Sequence, residues 1–348
     1  MLRRFFWLVF LLVPALAAGV TLNGAGATFP YPLYAKYFSA YHKLTGVRVN
    51  YQSIGSGGGI RQLYAQTVHF GASDAPLTDE QVEAFERKFG TAVVHVPTAL
   101  GAVVPIYNLP GLSTPLRFSG PLLADLFLGK VKKWNDPRIA ELNPGVKLPP
   151  FPVTVVHRSD GSGTTYVWTE YLAKVSQEWR DRVGVGKSVS WPTGLGGKGN
   201  EGVAGLVRQT PGAIGYAELV YAVQNKIAYG AVQNRAGKFV LADLATVKAA
   251  AAIDDFPADT RVSLTDTPAP DGYPVASFTW ILVYRDLDKN RAFKSKAEAK
   301  ALFDLLWWIV HDGQKLNEAL HYAALPEVAV RASEANLRAL RYRGEPLE

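Results

Sequence analysis

Val156-His157-Arg158-Ser159-Asp160-Gly161-Ser162-Gly163-Thr164-Thr165 lies near the middle of the chain. A short apolar run, residues 153–156, ends in basic residues, turns on Ser, Asp and Gly, and feeds an amphipathic helix. One helix N-terminus thereby gathers a guanidinium, two hydroxyls and several backbone N–H groups without intrahelical partners. Such a place suits an oxyanion. The rest of the chain is read for what else converges on that anion.

Other loops repeat the pattern. Leu22-Asn23-Gly24-Ala25-Gly26-Ala27-Thr28-Phe29-Pro30 precedes a helix with Tyr34, Tyr37, Phe38 and Tyr41 on one face and Gly46 as its stop. The alternating residues 47–52 predict a strand, which runs into Gly55-Ser56-Gly57-Gly58-Gly59 and a helix over 60–66. Phe70-Gly71-Ala72-Ser73-Asp74-Ala75-Pro76 predicts a strand, a turn and a third helix start. Strand ends that feed helix N-termini are the habit of open α/β sheets.

Residues 92–107 are almost all apolar or small but carry Pro97, Gly101 and Pro105. They read as one strand leaving a first domain, a crossing over 98–102, and a second strand entering another domain. Residues 275–284 read as a buried strand bringing the chain back. The helix after Arg158 is expected to run through Trp179, and helices are expected over 122–128, 203–209, 296–311, 314–322 and 326–340. Glycines 194–202 form a second glycine-rich loop.

A chain of 348 residues, 48% apolar and 19% charged, exceeds what one core usually serves, so two domains are expected. Arg3 and Arg4, the apolar residues 5–16 and Ala15-Leu16-Ala17 form a secretory signal, residues 1–17, with the mature chain starting near Ala18. The competing reading is a membrane anchor, but residues 5–20 include Pro14 and fall short of the roughly 20 residues a span needs. The absence of cysteine excludes disulfides, thiol chemistry and a lipobox lipid anchor, so a soluble protein released to the periplasm is expected. Removal of Arg3 and Arg4 lowers the formal charge from +7 to +5. No Lys/Arg block of nucleic-acid type occurs.

Several motifs fail on inspection. Gly24-Ala25-Gly26 has Phe29 where a dinucleotide fingerprint needs its third glycine, and Gly186-Lys187-Ser188 has Asp181 where a P-loop needs its first. Gly71-Ala72-Ser73-Asp74-Ala75 lacks the second glycine of a nucleophile elbow. The six histidines, at 42, 69, 95, 157, 311 and 321, show no metal-ligand spacing. Taken singly, Thr28, Ser56, Asp74 and Ser162 read as helix N-caps. Together, four strand-to-helix loops from two domains describe a cleft around a small anion. A carboxylate such as Asp74 fits there only if the ligand has a proton to donate.

The stretches 24–30, 55–58, 70–74, 158–164 and 194–200, in this order over residues 22–345, closely resemble the periplasmic phosphate-binding protein of the bacterial phosphate-specific ABC transporter. The resemblance implies a type II periplasmic binding protein fold, with two α/β lobes joined by a two-stranded hinge. One lobe would comprise residues 18–99 plus 274–348 and the other 100–273. It implies inorganic phosphate as ligand, held by Thr28, Phe29 through its backbone, Ser56, Asp74, Arg158, Ser162, Gly163 and Thr164, with Asp160 orienting Arg158. His157 stands where relatives often carry a second basic residue. The loop 194–202 would shape the cleft or the transporter-facing surface without touching the ligand. A monomer without enzymatic activity, metal or cofactor, delivering phosphate to membrane permease subunits, is what the resemblance implies. The alternatives are a binder of another tetrahedral anion, which Asp74 disfavours, and a secreted phosphatase, for which no nucleophile with an activating base can be named.

Overall fold

The computed structural model describes residues 19–348; the expected secretory signal lies outside them. The first lobe begins with β1 (Thr21–Gly26), α1 (Tyr31–Thr45), β2 (Arg48–Ser53), α2 (Ser56–Tyr64), β3 (Phe70–Ser73) and α3 (Asp79–Phe89). β1 lies between β2 and β3 and is parallel to both. α1 buries Leu33, Tyr34, Tyr37, Phe38 and Tyr41 and stops at Gly46, whose φ of 80° a side chain would resist. α2 starts earlier than expected, because Gly57, Gly58 and Gly59 are helical. The reason is packing: a Cβ on Gly59 would lie 2.5 Å from the Ala25 carbonyl oxygen, so only a bare helix fits against β1.

β4 (Val93–Tyr107) corrects the expected break. It is one 15-residue strand through Pro97, Gly101 and Pro105. Its first part pairs antiparallel with β12 (Ala276–Tyr284), from Tyr284 opposite Val93 to Ala276 opposite Ala102. Beyond Ala102 it pairs with β8 (Ala213–Glu218). Pro97 is tolerated where the register slips: Thr279 pairs with Ala99, Trp280 with Pro97, and Thr98 drops out as a bulge. β4 and β12 thus carry the chain between the lobes.

The second lobe continues through β5 (Arg117–Phe118), α4 (Gly120–Phe127), α5 (Pro137–Ala140), β6 (Thr154–Arg158), α6 (Gly163–Val175), α7 (Gln177–Arg182), β7 (Leu195–Gly197) and α8 (Gly199–Gln209). After β8 come α9 (Leu219–Gln224), β9 (Ala228–Tyr229), β10 (Ala231–Gln233), β11 (Phe239–Val240) and α10 (Leu244–Ala250). The main sheet runs β2-β1-β3-β12-β4-β8-β6-β7. α6 does not reach Trp179: Ser176, extended at ψ 115°, ends it and caps α7 by accepting the Trp179 N–H. α8 begins inside the second glycine-rich loop. After β12, α11 (Lys296–Val310) and α12 (Glu327–Arg338) return to the first lobe, and the helix expected over 314–322 is two short 3-10 turns. Among the described residues no helix is long and apolar enough to cross a membrane.

Residues 258–265 form a strap across both lobes. Thr260, fully buried and at φ 64°, donates its hydroxyl to the His95 carbonyl and accepts from the Trp280 indole at its own. Arg261 pairs with Asp79 and donates to the Leu77 carbonyl. Ser263 and Thr265 then donate to Glu170 on α6 and meet Lys174. Between strap and hinge lies a cavity of about 330 Å³ whose lining includes Asp74, Tyr166, Arg261 and Trp280.

Candidate functional site

The strand-to-helix loops of both lobes meet at the seam. From the first lobe come Thr28 and Phe29 after β1, Ser56 at the start of α2, and Asp74 directly after β3. From the second come Arg158 at the end of β6 and residues 162–164 at the start of α6. All of these are buried, Arg158 at 4% exposure and Asp74 at 1%. The lobes are in contact here. Gly163 N–H donates to Ser56 Oγ at 3.1 Å, and Gly57 N–H donates to the Gly161 carbonyl at 3.0 Å. A Cβ on Gly163 would sit 2.4 Å from Ser56 Oγ and 2.5 Å from Asp74 Oδ2, so glycine is required for this approach.

The hydroxyls are oriented by what they accept. A Ser or Thr oxygen whose lone pairs are taken by protein N–H groups has only its proton left to offer a ligand. Ser56 Oγ accepts from the N–H groups of Asp74 and Gly163. Ser162 Oγ caps α6 by accepting from Thr165 N–H at 2.9 Å. Thr28 Oγ1 accepts from both the backbone N–H and the side-chain amide of Asn200, at 3.1 and 2.7 Å. Thr164 Oγ1 accepts from the same Asn200 amide at 3.0 Å, while Asn200 Oδ1 is fixed by Glu218 N–H. The backbone N–H groups of Phe29, Ser56 and Thr164 have no hydrogen-bond partner among the described residues. The site therefore presents a shell of donors.

Arg158 adds the charge. Its Nε and Nη2 donate to the two oxygens of Asp160 at 2.7 and 2.6 Å, and its backbone N–H is held by the Tyr216 hydroxyl. Of five guanidinium N–H groups, two are fixed by Asp160; the Nη1/Nη2 edge is left for a second, end-on acceptor. Burial pushes the Asp160 carboxyl up, but the Arg158 hydrogen bonds and charge outweigh it and hold the group below its usual range. The α6 N-terminus adds its partial positive charge on the same side.

Asp74 is the exception among these donors. Oδ1 accepts from Thr279 Oγ1 at 2.7 Å, and Oδ2 faces Gly163 with Ser56 Oγ at a long 3.5 Å. Burial raises its pKa from 3.8 to about 7, against the opposing pull of Thr279, Arg158 and Ser56. A single acceptor in a shell of donors accommodates an anion that carries a proton.

With this geometry in view, the relatives decide the family. The sequence matches a PBP superfamily domain over residues 13–304. It is 46% identical over 318 residues to the phosphate-binding protein PstS of Pasteurella multocida, covering 90% of this chain and 89% of that protein. The chain belongs to the PstS phosphate-binding protein family. The PstS of Methanocaldococcus jannaschii is 37% identical, with coverage of 88% and 83%. A high affinity periplasmic phosphate-binding protein, PfluDING, solved with phosphate, superposes with a TM-score of 0.73 at 20% identity over 91% of this chain and 93% of that one. The phosphate binding protein from Stenotrophomonas maltophilia gives 0.68 at 17% identity, with coverage of 91% and 93%. At these identities the two structures speak for the fold. The family is one of binding proteins and not of enzymes.

The structure brings together Thr28, Phe29, Ser56, Asp74, Arg158, Asp160, Ser162, Gly163 and Thr164. Gly163 N–H donates to Ser56 Oγ across the seam. His157 supplies no charge to the shell. Its ring stacks on Trp191 with centroids 4.7 Å apart, and burial holds the imidazole below its usual range. Sequence reasoning missed Asn200 and Thr279. Asn200 stood within a recognised loop, but its two hydroxyl partners are 172 and 36 residues away. Thr279 lies with Ser277 in an otherwise apolar strand, and its pairing with Asp74 left no local trace.

Proposed function

We propose that this protein binds inorganic phosphate between its two lobes and delivers it to the permease of an ABC-type importer. The reading rests on one observation above others: a buried shell of hydroxyl, amide and guanidinium donors contains Asp74 as its acceptor. In this reading Thr28, Ser56, Ser162 and Thr164 donate through their hydroxyls. Phe29, Ser56 and Thr164 donate through backbone N–H groups, Gly163 rearranges from Ser56 toward the anion, and Arg158 binds end-on, oriented by Asp160. Phosphate at neutral pH keeps at least one hydroxyl, since its second pKa lies near that of a phosphoserine, about 6. That hydroxyl donates to Asp74. Sulfate has none and would set two negative oxygens against each other in a site without water.

The lobes of this reading are residues 18–99 with 274–348, and 100–273, with the strap reaching back from the second. Closure about β4 and β12 dehydrates the anion and forms the surface a permease can recognise. The chain would act as a monomer in the periplasm, released after removal of residues 1–17. No metal or cofactor takes part.

Calorimetry on the mature protein tests the reading. Phosphate and arsenate are expected to bind tightly and sulfate at least a hundredfold more weakly. Equal affinity for sulfate would reject the phosphate assignment, and steady hydrolysis of p-nitrophenyl phosphate would replace it with a phosphatase.

A further inference from the structure

Asp74 can discriminate between anions only while it acts as an acceptor, so whatever keeps its carboxyl ionised in a buried site sets the selectivity. Two features separate its oxygens. Oδ2 points across the seam toward Gly163 and the anion shell. Oδ1 points the other way, onto the hinge strand, where Thr279 Oγ1 donates to it at 2.7 Å. The pairing is built into the sheet. β12 runs antiparallel to β3 with Trp280 opposite Ser73, so Thr279 falls opposite the next residue, Asp74. Directly opposed positions put both side chains on one face.

The other neighbour of Thr279 fixes it in place. The register slip between Thr279 and Trp280 leaves Thr98 bulged, and the Thr98 hydroxyl donates to the Thr279 carbonyl while meeting the Tyr34 hydroxyl at 2.8 Å. Thr279 is fully buried. Its hydroxyl donates to Asp74, so its role is that of a positioning residue.

We infer that Thr279 is a specificity determinant for the phosphate site: its hydroxyl holds Asp74 ionised and turns one carboxylate oxygen toward the ligand. The inference rests on the phosphate reading above. A hydroxyl that donates to a carboxylate favours the charged form, and removing it leaves a buried oxygen with no partner. Asp74 would then take up a proton more readily. A protonated Asp74 is itself a donor, and a donor there accepts sulfate as well as phosphate. The groups facing Asp74 do not replace Thr279. Arg158 faces it from β6 and remains paired with Asp160. Tyr34 from α1, Tyr51 from β2, Tyr221 from α9 and Tyr322 are phenols held neutral by burial. Glu218 from β8 is a buried carboxyl whose pKa burial drives well up, and Asp79 and Arg261 pair with each other across the rear cavity.

The test compares wild type, Thr279→Val and Thr279→Ser by calorimetry with phosphate and sulfate at pH 6, 7 and 8. In wild type the phosphate-to-sulfate ratio should widen as pH rises. In Thr279→Val it should narrow about tenfold at pH 7, with its pH profile displaced upward, and Thr279→Ser should restore both. Thr279→Ala deletes the same hydroxyl and carries the test if the Val variant does not fold. A ratio in the Val or Ala variant within twofold of wild type, or a Ser variant no better than Val, overturns the inference. Failure of wild type itself to bind phosphate would instead remove the reading on which it stands.

Discussion

Replacing Asp74 by Asn tests the selectivity argument most directly. Once the lobes part and water reaches the carboxyl, its pKa should return toward the ordinary 3.8; in the closed, empty shell burial raises it to about 7. Sulfate can be enclosed in two ways. It can face the ionised carboxylate, at about 5 kcal/mol for unit charges about 3 Å apart at an effective dielectric of about 20. Alternatively, Asp74 can be protonated first. From the open state at pH 7 that costs about 4 kcal/mol, at 1.36 kcal/mol per pH unit. The cheaper route sets the ceiling, so the carboxyl supplies about a thousandfold discrimination at pH 7. Because that route takes up a proton, the phosphate-to-sulfate ratio should fall about tenfold per unit as pH drops from 7 to 5. Asparagine can turn its NH2 toward either anion, so Asp74→Asn should bring the two affinities within about tenfold of each other and remove this pH dependence. The assay is calorimetric titration of both anions at each pH. Discrimination above a hundredfold in Asp74→Asn, or a wild-type ratio flat from pH 5 to 7, would refute the reasoning.

Asn200→Ala removes the donors that turn the Thr28 and Thr164 hydroxyls toward the anion; phosphate affinity measured by calorimetry should fall about ten- to a hundredfold at about 1 kcal/mol per lost hydrogen bond. Gly163→Ala places a methyl against Ser56 and Asp74, so the lobes cannot close, and small-angle scattering should show no phosphate-induced compaction in this variant. The raised pKa of Asp74 destabilises the closed, ligand-free protein when the group is charged. Its contribution is fully favourable below about pH 4 and is lost as pH rises through about 7. Small-angle scattering without phosphate should accordingly find Asp74→Asn more compact than wild type at pH 8, with the gap gone at pH 4.

Much of the site was legible because its parts are local. Arg158 and Asp160 are two residues apart, and Ser162 caps the helix it precedes, so short-range chemistry wrote both into one stretch. The Asp74 loop was legible because a buried strand delivers it directly to a turn. Asn200 and Thr279 were not, since each acts only after distant strands have been brought together. The fold failed to read where punctuation residues have tertiary reasons. Pro97 stays within β4 because a bulge removes the need for its missing N–H. Gly57, Gly58 and Gly59 are helical although their composition reads as a loop, and side chains there would meet Gly161, Ile54 and β1 respectively. Ser176 breaks a helix that its apolar stripe predicted to continue.

The strap at residues 258–265 gives the opening motion a direction. Two strands alone would let the lobes both swing and twist, but a third attachment offset from them suppresses the twist. Its two ends are unequal. Thr260 is anchored in the dry first lobe in a left-handed conformation rare for a β-branched residue, held by His95 and Trp280. The Ser263 and Thr265 end is a half-wet cluster with Glu170 and Lys174, whose bonds water can replace at little cost. When the lobes part, the strap should stay with the first lobe and slide on the second, acting as a doorstop that limits the angle without adding a barrier to release.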